Sequence, residues 1–197
     1  MGRAQQFDIE VILDAALEEG SEGGFERLSA SAVARRLGAP SGSLYHRYPN
    51  RDAMVAALWL RTVKRFQAGY LAALATDQPA EQRAHAAIDC AFDWCAGNPR
   101  QARLLLCYRR EDLLQSATPV EISREAQSLN DDLTVGLVRL ASEINPASPD
   151  LPRVRLVCIT LPGAVIREAL PRQCPIEEAQ KRLVHEAASA LLASGES

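Results

Sequence analysis

Between Leu28 and Asp52 the chain reads LSASAVARRLGAPSGSLYHRYPNRD, and this stretch confines the fold more than any other. Ser29 is an N-cap residue whose hydroxyl can accept from the amides of a first helical turn. Leu28, Ala32, Val33 and Leu37 fall on or near one helical face. Gly38 stands where a helix end calls for left-handed backbone, and Pro40 where a new helix takes its first residue. The next helix, predicted over 41–48, is short, with small side chains at its start and aromatic and basic ones at its end. Pro49 stops it. Asn50 and Asp52 then supply a cap and a dipole-matched acid for a third helix. Helix, tight turn and short helix in this order form the pattern of a DNA-binding helix-turn-helix.

Helical spacing continues on both sides. Ile9, Ile12, Leu13, Ala16 and Leu17 predict a helix over about 8–19, with a glycine-rich loop at 20–24. A fourth helix runs from Arg51 to about 76, with Met54, Leu58, Phe66 and Leu74 among its buried positions. It is too long for a small head alone and is expected to join the head to the rest. Further helices are predicted over 80–96, 100–112, 119–142, 153–170 and 175–193. The fifth of the chain carries Ile88, Ala91, Phe92 and Cys95 on one face. The stretch 153–170 is apolar on nearly all sides, and Pro162-Gly163 is expected to kink it. Aromatic residues make up only 5% of the chain and β-branched alternation is scarce, which argues against sheets. The expected fold is all-α, with about nine helices. A DNA-binding domain at 1–52 precedes a second domain at 53–197, with helix four as the link.

Charge and cysteines narrow the function. The chain carries a net charge of −3, yet between Ser29 and Arg65 seven cations face one carboxylate, Asp52. A basic head on an acidic body suits contact with phosphate by the head alone. Five cysteines without a CxxC pair fit reduced thiols better than a disulfide framework. Residues 1–6 lead straight into an amphipathic helix and no apolar run approaches a membrane span, so a cytoplasmic protein without membrane contact is expected. No nucleophile elbow, phosphate loop or zinc-spaced ligand set is visible, and no cofactor or metal is expected.

The run VARRLGAPSGSLYHRYPNRDAMVAAL resembles the N-terminal region of the TetR family of bacterial transcriptional repressors, from about Phe7 to about Leu60. The specific parts are the Gly38 turn, Ser43-Leu44-Tyr45-His46 and the Asn50-Arg51 start of the next helix. The resemblance implies nine helices and a dimer whose last two helices per subunit form a four-helix bundle. It also implies a small-molecule effector that releases the protein from a palindromic operator. Tyr45 and often the residue after it are implied to touch phosphate, as is the start of helix four.

The candidate DNA contacts follow, each beside a plainer reading. Tyr45, His46 and Arg47 either bond phosphate oxygens or, for Tyr45, pack against helix one. Ser41, Gly42 and Ser43 open the recognition helix, with Pro40 before them. Serine discriminates bases poorly, and Gly42 either lets backbone approach the bases or is tolerated drift. Arg36 is a candidate for the groove floor. Asn50 and Arg51 form one phosphate clamp, and Ser29, Ala30 and Ser31 its counterpart at helix two. Arg3 either enters a minor groove or contributes nothing. Leu44 belongs to the core.

In the body, candidate effector contacts are His85, Asp89 and Phe92, then Cys107 and Tyr108, then Gln127, Asn130, Asp131 and Thr134. Each taken alone also reads as solvated or core. Metal binding by His85, Asp89 and Cys90 lacks a full ligand set. Val154, Val157, Cys158, Leu161, Val165, Leu183, Val184, Ala187 and Leu191 are the candidates for the dimer interface. Two other functions compete with a ligand-released repressor. One is a redox-switched regulator using cysteines such as Cys90 and Cys95; the other is a small helical enzyme using His85, Asp89 and a cysteine.

Overall fold

Asp8 accepts the amide of Glu10 and starts α1 (Ile9–Gly23), a helix one turn longer than the glycines at 20–24 suggest. The structure, a computed structural model, describes residues 8–113, 119–172 and 174–193; Arg3 and Phe7 lie outside them. Gly20 stays helical because its missing side chain makes room for a ring. A Cβ there would stand 2.2 Å from the Phe25 side chain. Gly24, at φ +92°, then ends α1 with its amide on the Gly20 carbonyl, and Phe25–Arg27 makes a single 3-10 turn. The helices α2 (Ala30–Leu37) and α3 (Ser41–Tyr45) follow, the latter ending a turn before the predicted stop.

Beyond them come α4 (Arg51–Leu74), α5 (Ala80–Gly97), α6 (Pro99–Cys107), the one-turn α7 (Arg110–Leu113) and α8 (Val120–Ile144). After these are α9 (Leu151–Arg155), α10 (Leu161–Ala169) and α11 (Glu178–Ala193). The chain is all-α, with no strand among the described residues. No helix among them is long and apolar enough to cross a membrane.

The described residues fall into two units: those of Met1–Val63 and Leu104–Ala126, and those of Lys64–Arg103 and Gln127–Ser197. The division therefore comes later than residue 52, inside α4. The reason is burial: Ala53, Met54, Val55 and Leu58 have no exposure and belong to the interior of the first unit. There α1 packs on α2, and α2 on α3, around Leu13, Ala16, Val33 and Leu44.

The second unit has its own core, with Tyr70, Ile88, Phe92, Leu137, Leu140 and Val157 at its centre. Here α5 packs against α10 and α11. A polar chain ties α5 to α11. Ser189 Oγ lies 3.0 Å from His85 Nε2, His85 Nδ1 2.6 Å from His185 Nδ1, and His185 Nε2 2.7 Å from Asp89 Oδ1. One set of neutral tautomers satisfies every link: Ser189 donates to His85, His85 to His185, and His185 to the Asp89 carboxylate. The guanidinium of the buried Arg83 donates to the Leu74 carbonyl at 3.1 Å and to the Glu143 carboxylate.

Pro162 disturbs its helix differently from a simple kink. Between α9 and α10, Leu156–Thr160 forms a wide π-type turn. The carbonyl of Cys158, four residues before Pro162, is the one an α-helix would pair with the amide that proline lacks. Tyr70 replaces that donor, its phenol bonding the Cys158 carbonyl at 2.6 Å in a buried setting. Burial, with the neighbouring Cys158 and Cys90 adding to it, holds the phenol well above its ordinary ionisation range, so it remains a donor. Replacing Tyr70 by phenylalanine leaves a buried carbonyl unpaired and is expected to lower the unfolding free energy by about 1–3 kcal/mol. Urea denaturation of the variant measures this, and an unchanged midpoint and slope would refute it.

Candidate nucleic-acid interface

The turn between α2 and α3 is set by its caps. Ser29 Oγ accepts the amide of Ala32 at 3.2 Å and opens α2. Gly38 closes it in left-handed backbone at φ +63°, its amide on the Arg35 carbonyl and the next amide, of Ala39, on that of Ala34. Pro40 stands just before α3, one residue ahead of the first helical position expected for it; Leu44 within the helix and Tyr48 beyond its end are buried. Asn50 Oδ1 then accepts the amide of Ala53 at 2.8 Å and starts α4.

This leaves an outer side with defined donors. Tyr45 is 46% exposed, and its phenol lies 3.0 Å from Ser31 Oγ, joining the two helices across the turn. Gly42 and His46 are exposed, whereas Arg47 is half-buried, its Nη1 buried and unpartnered among the described residues rather than turned to that side. Ala30 is buried, so only its backbone can face a ligand. The backbones of Ser41 and Ser43 lie in the first turn of α3.

Two arginines do other work. The Arg36 guanidinium reaches the carboxylates of Glu18 at 3.2 Å and Glu19 at 3.0 Å, and that of Glu22 as well. Bonds to Glu22 and then Glu19 raise its pKa further, and the side chain fastens α2 to α1 rather than extending toward a groove. Arg51 donates to the Phe25 carbonyl at 3.2 Å, to Asp52 at 2.6 Å and to the Tyr108 phenol at 2.6 Å. Its guanidinium also lies 5.9 Å from the Tyr108 ring centre, and Tyr108 meets Phe25 edge-on. Buried Arg61 bonds Glu10 and Asp14 of α1. The cationic surplus counted between 29 and 65 is thus partly neutralised by acids of α1, which precede that window.

Residues 12–58 match the family model of bacterial regulatory proteins, tetR family. They are similar to the N-terminal region of that family. The described helices extend the likeness in fold over nearly the whole chain. A transcriptional regulator from a Rhodococcus species is 18% identical, at a TM-score of 0.72 over 94% of this chain and 96% of that one. FadR from Bacillus subtilis, solved in complex with stearoyl-CoA, is 17% identical at a TM-score of 0.69, covering 96% and 100%. The ketosteroid transcriptional regulator KstR2 of Mycobacterium tuberculosis is 17% identical at 0.64, covering 97% of each chain. No curated protein matches the sequence.

Outside the region matched by the family model the structure scatters the effector candidates. His85 and Asp89 are engaged with His185 and Ser189. Gln127 bonds Asp131 at 2.7 Å on the exposed side of α8, and Thr134 bonds the carbonyl of Asn130. Cys107 is exposed, and Tyr108 packs with Phe25 and Arg51 in the first unit. Phe92 lines a cavity whose other walls come from 95–103 and 169–181, stretches the sequence does not single out as effector contacts. No group of three His, Cys, Asp or Glu among the described residues is placed to hold a metal. Of the interface candidates, Val154, Val157, Cys158 and Val184 are buried within the second unit and cannot present surface to a partner. Leu161, Val165, Ala187 and Leu191 are partly exposed, and Leu183 is 62% exposed. A stretch apolar on all sides gives no sequence signal for which stripe faces inward.

Two outcomes are expected. In a double-mutant cycle, Arg51→Ala and Tyr108→Phe should couple by about 1 kcal/mol in unfolding free energy; additive losses would show that the bond contributes nothing. Burial pushes the Cys95 and Cys158 thiols up to about 12, which keeps them protonated and unreactive near neutrality. A thiol reagent at pH 8 should therefore label exposed Cys107 and Cys174 first, and early modification of Cys158 would refute that placement.

Proposed function

We propose that the chain is a ligand-responsive DNA-binding transcriptional regulator, a repressor that holds a palindromic operator as a homodimer until a small molecule releases it. The observation that carries this reading is the α2–Gly38–α3 turn, which leaves Gly42, Tyr45 and His46 on one exposed side within the matched family region. In this reading Tyr45, positioned by Ser31, joins His46 on phosphate oxygens and fixes register. The first turn of α3, from Pro40 through Ser43, enters the major groove, where the absent side chain of Gly42 lets backbone come close to base edges. The starts of α2 and α4, at Ser29 and Asn50, approach the flanking backbone as helix N-termini do for anions. Arg36 is left out because it is engaged by three glutamates, and Arg51 serves to hold Tyr108.

Two heads reading half-sites one turn apart require a two-fold partner. The exposed stripe of Leu183, with Ala187 and Leu191 on α11 and Leu161 and Val165 on α10, is the proposed contact surface. The effector acts in the second unit, and α4, whose residues belong to both units, is the covalent path to the head. To turn a mostly bound population into a mostly released one, the effector must prefer the released form by about 5 kcal/mol. The complex of Bacillus subtilis FadR with stearoyl-CoA supports a ligand-binding role for this fold. Burial raises the ionisation of Cys95 to about 12 and that of part-buried Cys90 upward as well, which speaks against the redox-switched alternative.

Selection of bound sequences from randomised DNA with the purified protein is expected to enrich a palindrome with half-sites about 10 base pairs apart. Tyr45→Phe should weaken binding evenly across selected and mismatched sites, since phosphate contacts carry no base information. Enrichment of a lone half-site by a monomer would overturn the dimeric reading, and no enrichment by folded protein would overturn DNA binding.

A further inference from the structure

The second unit contains a cavity of about 550 Å³, within the size range of small-molecule pockets. Its floor is apolar: Phe92 and Cys95 of α5, Ala169 and Leu170 at the end of α10, and Pro175 and Ile176 before α11. The Cys95 thiol adds no charge, being pushed up to about 12 by burial. The remaining walls are cationic, with Arg100, Arg103 and Lys181. Lys181 is neutralised by Glu178 at 3.0 Å and Asp93 at 3.9 Å. Arg100 and Arg103, one helical turn apart on α6, are exposed and have no ion-pair partner among the described residues. Arg100 also belongs to the first turn of α6, where its backbone amide lacks an intrahelical acceptor.

An apolar floor beside two uncompensated guanidiniums selects a molecule with the matching division. We infer that this cavity binds an amphiphilic anion, an alkyl or acyl chain ending in a carboxylate or phosphate, and that this is the effector site. The chain displaces water from the floor, and the head group takes charge-assisted hydrogen bonds from Arg100 and Arg103. A neutral chain forfeits those bonds, and a free phosphate forfeits the burial. The effector role rests on the regulatory reading above; the binding site does not.

Calorimetric titration of the full chain with dodecyl phosphate, dodecanoate, dodecanol and inorganic phosphate, all below micelle formation, tests the site. The two amphiphilic anions should bind at least about tenfold more tightly than dodecanol or inorganic phosphate, and their ranking separates a phosphate from a carboxylate source. An Arg100→Gln, Arg103→Gln double variant should lose about the same factor for the anions and little for dodecanol. In the unaltered protein, saturating dodecyl phosphate should slow maleimide labelling of Cys174, which lines the cavity, and leave Cys107 unchanged. Equal binding of dodecanol overturns the anionic head group, and binding without protection of Cys174, or no binding, overturns the site. Operator binding read in parallel separates the two claims. Anion binding without DNA release refutes the effector role alone. DNA release by a compound that leaves Cys174 unprotected refutes this site and leaves the regulatory reading standing.

Discussion

Phe25 is the contact on which the first unit turns. Its ring occupies the space that Gly20 leaves empty, meets Tyr108 edge-on, and its carbonyl receives Arg51. One residue thus touches the end of α1, the start of α4 and Tyr108, which follows it by 83 positions. A ring buried on three sides gains from dispersion and water exclusion at once, and each neighbour constrains the others. The turn between α2 and α3 is mounted on this base: α2 is fastened to α1 by Arg36, and α4 to α1 by Arg61.

The local grammar of the head was legible because it is written in short-range chemistry. Ser29, Gly38 and Asn50 act within four residues of themselves, and each occupies in the structure the cap or turn position its type favours, while Pro40 stands one residue ahead of the first helical position expected for it. Long-range uses of charge were not legible. Arg36 and Arg51 look alike in sequence to arginines that meet phosphate, yet their partners lie 14 to 18 and up to 57 residues away. Gly20 was misread for the same reason. A glycine in a polar stretch resembles a loop until the ring that needs its space is placed beside it.

The second unit obeys a different limit. Periodicity marks which residues are apolar, and a helix apolar all round then hides which side is inward; Val154, Val157 and Cys158 took the core, and the exposed stripe went elsewhere. The cavity beside Phe92 escaped notice because its apolar floor and cationic walls are assembled from segments some 70 residues apart. Helix α6 looks amphipathic by itself, and only the end of α10 and the start of α11 turn its two arginines into part of a pocket. The His85–His185 contact is equally non-local, joining positions 100 apart.

The bond from Tyr70 to the Cys158 carbonyl reaches beyond this one chain. The phenol stands in for an amide that Pro162 removed, so the two residues form a single unit of selection although they lie on different helices. A descendant that replaces the proline regains its own donor and frees position 70 to drift to phenylalanine. A descendant that loses the phenol first carries an unpaired buried carbonyl until the proline is also lost. The order of the two substitutions is therefore biased, and the pair should leave a trace of co-variation in any lineage that keeps this wide turn.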